Sequence, residues 1–251
     1  MVKIVAIVQA RMGSIRLPGK VMMEICGKVV LLHIIDRLKA CKLLDKIVIA
    51  TTLCDKDNVI FDAVNNYDKS IGLFRGSEEN VLERYYLAAK KFNADVVLRV
   101  TSDDPLIDPS GIDNLIREFL IGDWDYVSNS LNKTFPLGLD AEVFSFNALE
   151  MAYHNASQAY EREHVTPYII ENPDIFKLLN VANDIDLSYL RWTLDTKEDY
   201  EFISAVYKRL YPKKQLFLMG DILELLDREP ELIDINRHIE QKKNLRKCHE
   251  K

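Results

Sequence analysis

The sequence predicts an α/β fold, a largely parallel mixed sheet with helices on both faces. Three observations lead there. Short apolar runs alternate with helix-period segments through the first half of the chain, the pattern of βαβ units. The runs at 4–8 and 94–101 are nearly continuous in Val, Ile and Leu, as strands buried on both faces are. No internal repeat, low-complexity tract or linker interrupts the 251 residues, so residues 1–240 are expected to form one domain. The basic stretch 241–251, poor in apolar residues, is expected to fray.

The elements follow in order. Ile4 to Val8 is a buried strand. The loop after it carries Arg11, Gly13, Ser14, Arg16, Gly19 and Lys20. Val29 to Leu38 is helical, with Val30, Leu31, Ile34, Ile35 and Leu38 on one face. Lys46 to Thr51 is a strand, Asp57 to Asn66 a helix, Ile71 to Phe74 a strand, and Glu79 to Phe92 a helix. Ala94 to Thr101 is the central strand, followed by a helix at 110–120 and a strand at 125–128. The second half alternates less cleanly. Strands are expected at 139–144, 176–181 and 190–194. Helices are expected at 146–154, from about 160, from Asp195 to about Leu210, and at 219–227.

Composition limits the function. A hydrophobic fraction of 48% supports a sizeable core, and a net charge of −6 argues against a basic nucleic-acid surface. Apolar runs fall short of the roughly 20 residues of a membrane span. Lys3 followed by a strand-like run, without a small-residue cleavage site, gives no signal peptide. Cys26, Cys41, Cys54 and Cys248 form no C-x-x-C pair, which points to reduced thiols in the cytoplasm.

The candidate chemistry lies where strands end, because ligands of parallel sheets bind beyond the carboxyl ends of the strands. Three cations and two glycines after the first strand form a candidate phosphate cradle; the alternative is a solvated basic turn. The loop is no P-loop, since Gly13 and Gly19 enclose five residues and Val21 follows Lys20. It also lacks the dinucleotide fingerprint. Asp103 and Asp104 close the central strand, as ligand carboxylates or as a turn before Pro105. Asp195 follows another strand candidate, as a helix N-cap with Glu198 three residues on, or as a second carboxylate for Mg²⁺. If Asp103 and Asp195 share an ion, their carboxylates should lie about 4–7 Å apart. Without metal, one of them should then titrate high. Arg75 could meet a base, ribose or phosphate, or belong to a loop in which Ser77 caps the next helix. The run Glu161 to His164 is either a solvated helix face or part of a site, with His164 serving structure or ligand.

The stretch Gln9-Ala10-Arg11-Met12-Gly13-Ser14-x-Arg16-Leu17-Pro18-Gly19-Lys20 resembles the opening of the sugar-acid cytidylyltransferases. Within them it is most similar to the branch of spore-coat polysaccharide biosynthesis, related to CMP-sialic acid and CMP-Kdo synthetases. Five further blocks follow in family order. They are Phe74-Arg75-Gly76-Ser77-Glu78-x-x-Val81-Leu82, Asp103-x-Pro105-Leu106-Ile107-Asp108 and Gly138-Leu139-Asp140-x-Glu142, then Glu161 through Tyr168 and Leu194-Asp195-Thr196-x-Glu198-Asp199. Three positions depart from the pattern: Ser102 for the usual Gly, Asp104 for Cys, Asn or Glu, and Lys197 for a frequent Pro.

The resemblance implies a three-layer fold of the nucleotide-diphospho-sugar transferase type, usually dimeric. It implies an Mg²⁺-dependent transfer of CMP from CTP to a sugar acid of nonulosonic or octulosonic type, with release of pyrophosphate. Gln9, Ala10, Arg11, Gly13, Ser14, Arg16, Lys20, Arg75, Ser77 and Asp103 would then hold the nucleotide. Arg11, Arg16 and Lys20 would stabilise the developing charge, and Asp103 and Asp195 would hold Mg²⁺. Asp140, Glu142, Arg162 and His164 are the candidates for the acceptor, with Arg162 pairing a sugar carboxylate. The competing expectations are a nucleotidyltransferase acting on a sugar or polyol phosphate, and a catalytically silent nucleotide-binding scaffold.

Overall fold

A computed structural model describes residues 2–240; the expected frayed tail at 241–251 lies outside them. In chain order the strands are β1 (Ile4–Gln9), β2 (Glu24–Ile25), β3 (Lys28–Val29), β4 (Lys46–Thr52), β5 (Gly72–Gly76), β6 (Val96–Thr101), β7 (Tyr126–Ser128), β8 (Glu142–Ser145) and β9 (Leu178–Asn180). The helices are α1 (Val30–Lys39), α2 (Asn58–Tyr67), α3 (Val81–Lys91), α4 (Pro109–Ile121), α5 (Phe146–Asn155), α6 (Ala159–His164), α7 (Pro167–Ile170), α8 (Lys197–Leu210) and α9 (Met219–Arg228).

Seven strands form one sheet in the order β5-β4-β1-β6-β8-β7-β9. β5, β4, β1 and β6 run parallel, and β8 joins β6 antiparallel. β1 and β6 are adjacent, yet the chain leaves β1 toward β4 and β5 before returning to β6 on its other side. That is a topological switch point, where the loops leaving neighbouring strands part and open a crevice. The Arg11–Lys20 loop leaves β1 there, and Asp103 follows β6.

The two-residue period of a strand divides the core. Ile4, Ala6 and Val8 of β1 pack on one face with Ile34, Ile60, Ile116, Phe202 and Leu225 from α1, α2, α4, α8 and α9. Val5 and Ile7 pack on the other with Leu82, Tyr85, Leu149 and Ile169 from α3, α5 and α7. The predicted three-layer α/β architecture is the observed one.

Several local expectations change. Residues 190–194 are no strand: the segment makes one parallel bridge, Leu137 to Arg191, and is otherwise held by single backbone bonds. Its Trp192 N–H donates to the Leu137 carbonyl at 2.6 Å, and its Leu194 N–H to the Asp103 carbonyl at 2.7 Å. Asp195 does not cap α8. Thr196 does, accepting the Asp199 N–H at 3.2 Å, while the Asp199 carboxylate accepts the Thr196 N–H at 3.0 Å. Ser77 does not cap α3 either, since Asn80 accepts the Glu83 N–H. The 139–144 strand begins only at Glu142. The helix expected from about 160 breaks in two at Val165, a β-branched residue held at φ 73°. The β2–β3 hairpin, too short for a periodic signal, had no sequence counterpart.

Candidate active site at the β1–β6 switch point

A cavity of about 670 Å³ opens at the carboxyl ends of β1 and β6. Its wall includes Gln9, Ala10, Arg11, Ser14, Arg16, Lys20, Asp103, His164 and Asp195 among the residues expected from sequence. Gly13, Arg75, Ser77, Asp140, Glu142 and Arg162 are not part of that wall.

The loop after β1 is folded on itself. The N–H groups of Ser14 and Gly19 both donate to the Met12 carbonyl at 3.0 Å. The Met12 N–H donates to Asp57 at 2.7 Å. Gly19 sits at φ 73°, where glycine carries no Cβ penalty, and delivers Lys20 into a single helical turn, Lys20–Met22. Lys20 is buried, which a solvated basic turn would not require.

The centre of the site is an ion cluster. Lys20 Nζ lies 2.8 Å from Asp103 Oδ2 and 2.8 Å from Asp195 Oδ1. Arg16 Nη2 lies 2.7 Å from the other Asp195 oxygen, and Arg191 Nη2 3.4 Å from it. The two carboxylates are therefore on one side of the sheet, and their nearest oxygens are at most twice 2.8 Å apart, in keeping with the expected span. Asp103 does not titrate high. Burial pushes the Asp103 carboxyl up, but Lys20 outweighs it and holds the group below its ordinary range. Burial likewise pushes the Lys20 ammonium down, and the two carboxylates lift it above 10.5.

Asp104 is the carboxyl that titrates well above its usual range, raised first by burial and then by the adjacent Asp103. It accepts the Thr101 hydroxyl at 2.7 Å. Only Asp103 of the two lines the cavity.

Asp195 is aimed by what lies behind it. Arg191 clasps Asp199 with two bonds of 2.8 Å. Asp199 accepts the backbone N–H of Asp195 at 3.0 Å and an Asn236 amide N–H at 2.9 Å. Asp199 is fully buried; burial raises its carboxyl, but the Arg191 and Asn236 bonds take it below the ordinary range.

The cavity wall also holds residues that periodicity did not single out. Glu78 reaches Arg11 at 3.7 Å and Lys56 at 3.0 Å. Arg84 lies on the buried face of α3, 2% exposed, and donates to the Ser77 carbonyl at 2.6 Å. Its signal was a charged residue within the apolar stripe of a predicted helix. α6 contributes Ala159, Glu163 and His164.

The remaining expected residues serve neighbouring structure. Arg75 donates to the carbonyls of Thr52 and Cys54 and to Asn58. Ser77 accepts the Asn80 N–H at 3.0 Å. Asp140 pairs with Lys133 at 3.0 Å, and Arg162 donates to the Ala156 carbonyl at 2.6 Å. Glu142 is buried under the site, ion-paired to Arg99 and accepting the hydroxyls of Tyr126 at 2.6 Å and Thr166 at 2.7 Å. Burial raises its carboxyl; Arg99 and the two hydroxyls bring it below the usual range.

The donor set fits a divalent metal. Two hard carboxylate oxygens converge on one cation, here the Lys20 ammonium, which suits Mg²⁺ when phosphate and water oxygens complete its octahedron. Among the described residues no group of three or more His, Cys, Asp or Glu is arranged for a metal. The other oxygens would have to come from substrate and water.

Residues 5–247 match the cytidylyltransferase family. The chain is 40% identical over 244 residues to an uncharacterized protein of Methanocaldococcus jannaschii, covering 96% of this chain and 97% of that one. It is 32% identical over 237 residues to the spore coat polysaccharide biosynthesis protein SpsF of Bacillus subtilis, covering 91% and 95%. A shorter match, 32% over 114 residues, joins 45% of the chain to 43% of the 3-deoxy-manno-octulosonate cytidylyltransferase of Geobacter metallireducens. Among solved structures, a cytidylyltransferase from Leptospira borgpetersenii superposes with a TM-score of 0.89 at 33% identity, covering 96% and 100%.

Proposed function

The chain belongs to the cytidylyltransferase family and is a nucleotidyltransferase, and from that premise we propose that it transfers CMP from CTP to a sugar acid with release of pyrophosphate. The observation that carries the proposal is the meeting of Arg16, Lys20, Asp103 and Asp195 in one cavity at the switch point. In the proposed reaction the anomeric hydroxyl of the acceptor attacks the α-phosphorus, the bond to the β-phosphate oxygen breaks, and the hydroxyl proton passes to solvent or a nearby base. Negative charge grows on the phosphoryl oxygens and the leaving pyrophosphate. Arg11, Arg16 and Lys20 line the cavity as preorganised cations to receive it. Asp103 and Asp195 would hold Mg²⁺, which when bound neutralises phosphate charge and orients the leaving group. Arg191 and Asp199 keep Asp195 aimed.

The acceptor class rests on the likeness to the 3-deoxy-manno-octulosonate and spore-coat relatives. His164 and Glu163 of α6 line the cavity and would meet it. Arg162, Asp140 and Glu142 would act from behind, by holding the acceptor side in shape. A role in surface polysaccharide synthesis, a homodimer and a cytoplasmic location are part of the same proposal, supported by the family likeness and by the free thiols of Cys26, Cys41 and Cys54; no described helix is long and apolar enough to cross a membrane.

The test is pyrophosphate release with each of four nucleoside triphosphates against a panel of nonulosonic and octulosonic acids, sugar phosphates and polyol phosphates. Release confined to CTP with a sugar acid supports the reading. Release only with a phosphorylated acceptor replaces it.

A further inference from the structure

Resting on the cytidylyl-transfer reading above, we propose that Lys20 is the resident cation of the Asp103–Asp195 pair, and that the free enzyme excludes divalent metal until a triphosphate draws the ammonium away. The binding order is then built into the loop after β1.

Occupancy is the first argument. Lys20 Nζ stands 2.8 Å from an oxygen of each aspartate. A divalent ion bridging the same oxygens at about 2.1 Å would need the volume that the ammonium fills. The second Asp195 oxygen is no alternative, because Arg16 holds it at 2.7 Å with Arg191 at 3.4 Å. Charge is the second argument. Lys20 and Arg16 already match the two carboxylates, while Arg191 is matched by Asp199. An arriving divalent ion meets no net negative charge there.

A triphosphate changes both conditions. Lys20 and Arg16 line the cavity wall, so phosphate oxygens can compete for them. The lysine stem is flexible and its ammonium is a point charge that can turn from one anion to another. Once it turns, Asp103 and the Oδ1 oxygen of Asp195 are released while Arg16 and Arg191 stay on Asp195 Oδ2, and phosphate oxygens bring further ligands for a metal. Nucleotide and metal thus raise each other's affinity by one common factor, as linkage requires.

The test is Mn²⁺ binding to the full-length enzyme without nucleotide, read by electron paramagnetic resonance, with folding checked by near-UV circular dichroism. Wild type and Lys20→Arg, which keeps a cation between the carboxylates, should bind weakly. Lys20→Met should bind at least about tenfold tighter, within the usual range of coupling between sites. Adding Asp195→Asn to Lys20→Met should remove the gain. Lys20→Gln, whose amide can still bond to a carboxylate, covers the case in which Lys20→Met does not fold. Neutral variants that bind Mn²⁺ no tighter than wild type, or a gain that survives Asp195→Asn, would overturn the proposal. Pyrophosphate release by wild type with CTP and Mg²⁺ tests the transfer reading separately. Release without a Lys20 effect on Mn²⁺ sinks the exclusion and spares the transfer; a Lys20 effect without release does the reverse.

Discussion

Lys20 and Arg16 touch the same carboxylate, yet replacing them should have different consequences. Each substitution by alanine should lower turnover by about 10²–10³, the scale for losing one preorganised charge. The Lys20 side chain is 10% exposed and Arg16 29%. Lys20→Ala should therefore also destabilise the protein, by about 1–3 kcal/mol, because Asp103 loses its counter-charge while Asp195 keeps Arg16 and Arg191. Arg16→Ala should leave the melting temperature near that of wild type. Thermal melts beside steady-state rates separate the two effects; equal melts for both variants would mean that Lys20 is well solvated. Glu142 gives a second residue-scale prediction, in stability and its pH dependence. Glu142→Gln leaves Arg99 buried without a counter-charge and should cost about 3–5 kcal/mol at neutral pH. The native carboxyl titrates below its usual range, so it favours the folded state where the unfolded group is ionised, above about pH 4.3. As pH falls through the depressed native value that contribution is lost. The stability gap between wild type and variant should be full above about pH 4.3 and close toward more acid conditions. A gap independent of pH would show that packing, rather than charge, dominates at Glu142.

At the scale of elements, the site depends on a segment with no regular structure of its own. Residues 190–194 run beside the 137–139 backbone, which Gly138 lets pass close to them, and reach Asp103 just beyond β6. A Cβ on Gly138 would stand 2.5 Å from the Thr193 nitrogen and 2.6 Å from the Trp192 carbonyl carbon, and Gly138 sits at φ 107°. Gly138→Ala should therefore lower both stability and turnover, since the backbone that must give way carries Asp195. Thr196→Ala should cost α8 only its cap, about 1 kcal/mol; Asp199→Ala should cost more, because Arg191 loses a buried partner with the cap. Chemical denaturation of the three variants gives the ranking, and a Gly138→Ala enzyme as stable and active as wild type would mean that the segment finds another path. These contacts also mark how far the sequence could be read. The strands and helices around the switch point were legible because each is long enough to show its period, so the cradle and Asp103 could be placed at strand ends. Asp195 was legible as a carboxylate facing the site, but its local role was misassigned. Capping signals at Asp195 and Thr196 are one residue apart, and Asp199, which closes the box with Thr196, is fixed by Arg191 eight residues upstream. Arg75 and Glu142 were named for chemistry because they are charged and stand beside motif residues. What sequence could not show is that backbone carbonyls already surround Arg75, and that Arg99 lies beside Glu142 on the neighbouring strand.

For the whole molecule, the sheet order determines which loops can cooperate. β1 and β6 are separated by about the length of three βα units in sequence yet are neighbours in space, so Arg16 and Lys20 meet Asp103 and Asp195 only in the complete fold. Ligand binding should accordingly stabilise the chain as one unit by mass action. CTP with Mg²⁺ should raise the melting temperature more than ATP, GTP or UTP with Mg²⁺, and equal shifts for all four would remove cytosine preference while leaving nucleotidyl transfer. The central claim is that the cavity joins CMP to a sugar acid, and the product itself tests it most directly. Mass spectrometry of a reaction containing CTP, Mg²⁺ and a nonulosonic or octulosonic acid should show the CMP ester of that acid, together with pyrophosphate. Intact CTP across the acid panel, or a diphosphate-linked cytidine product formed only from a phosphorylated acceptor, would contradict it.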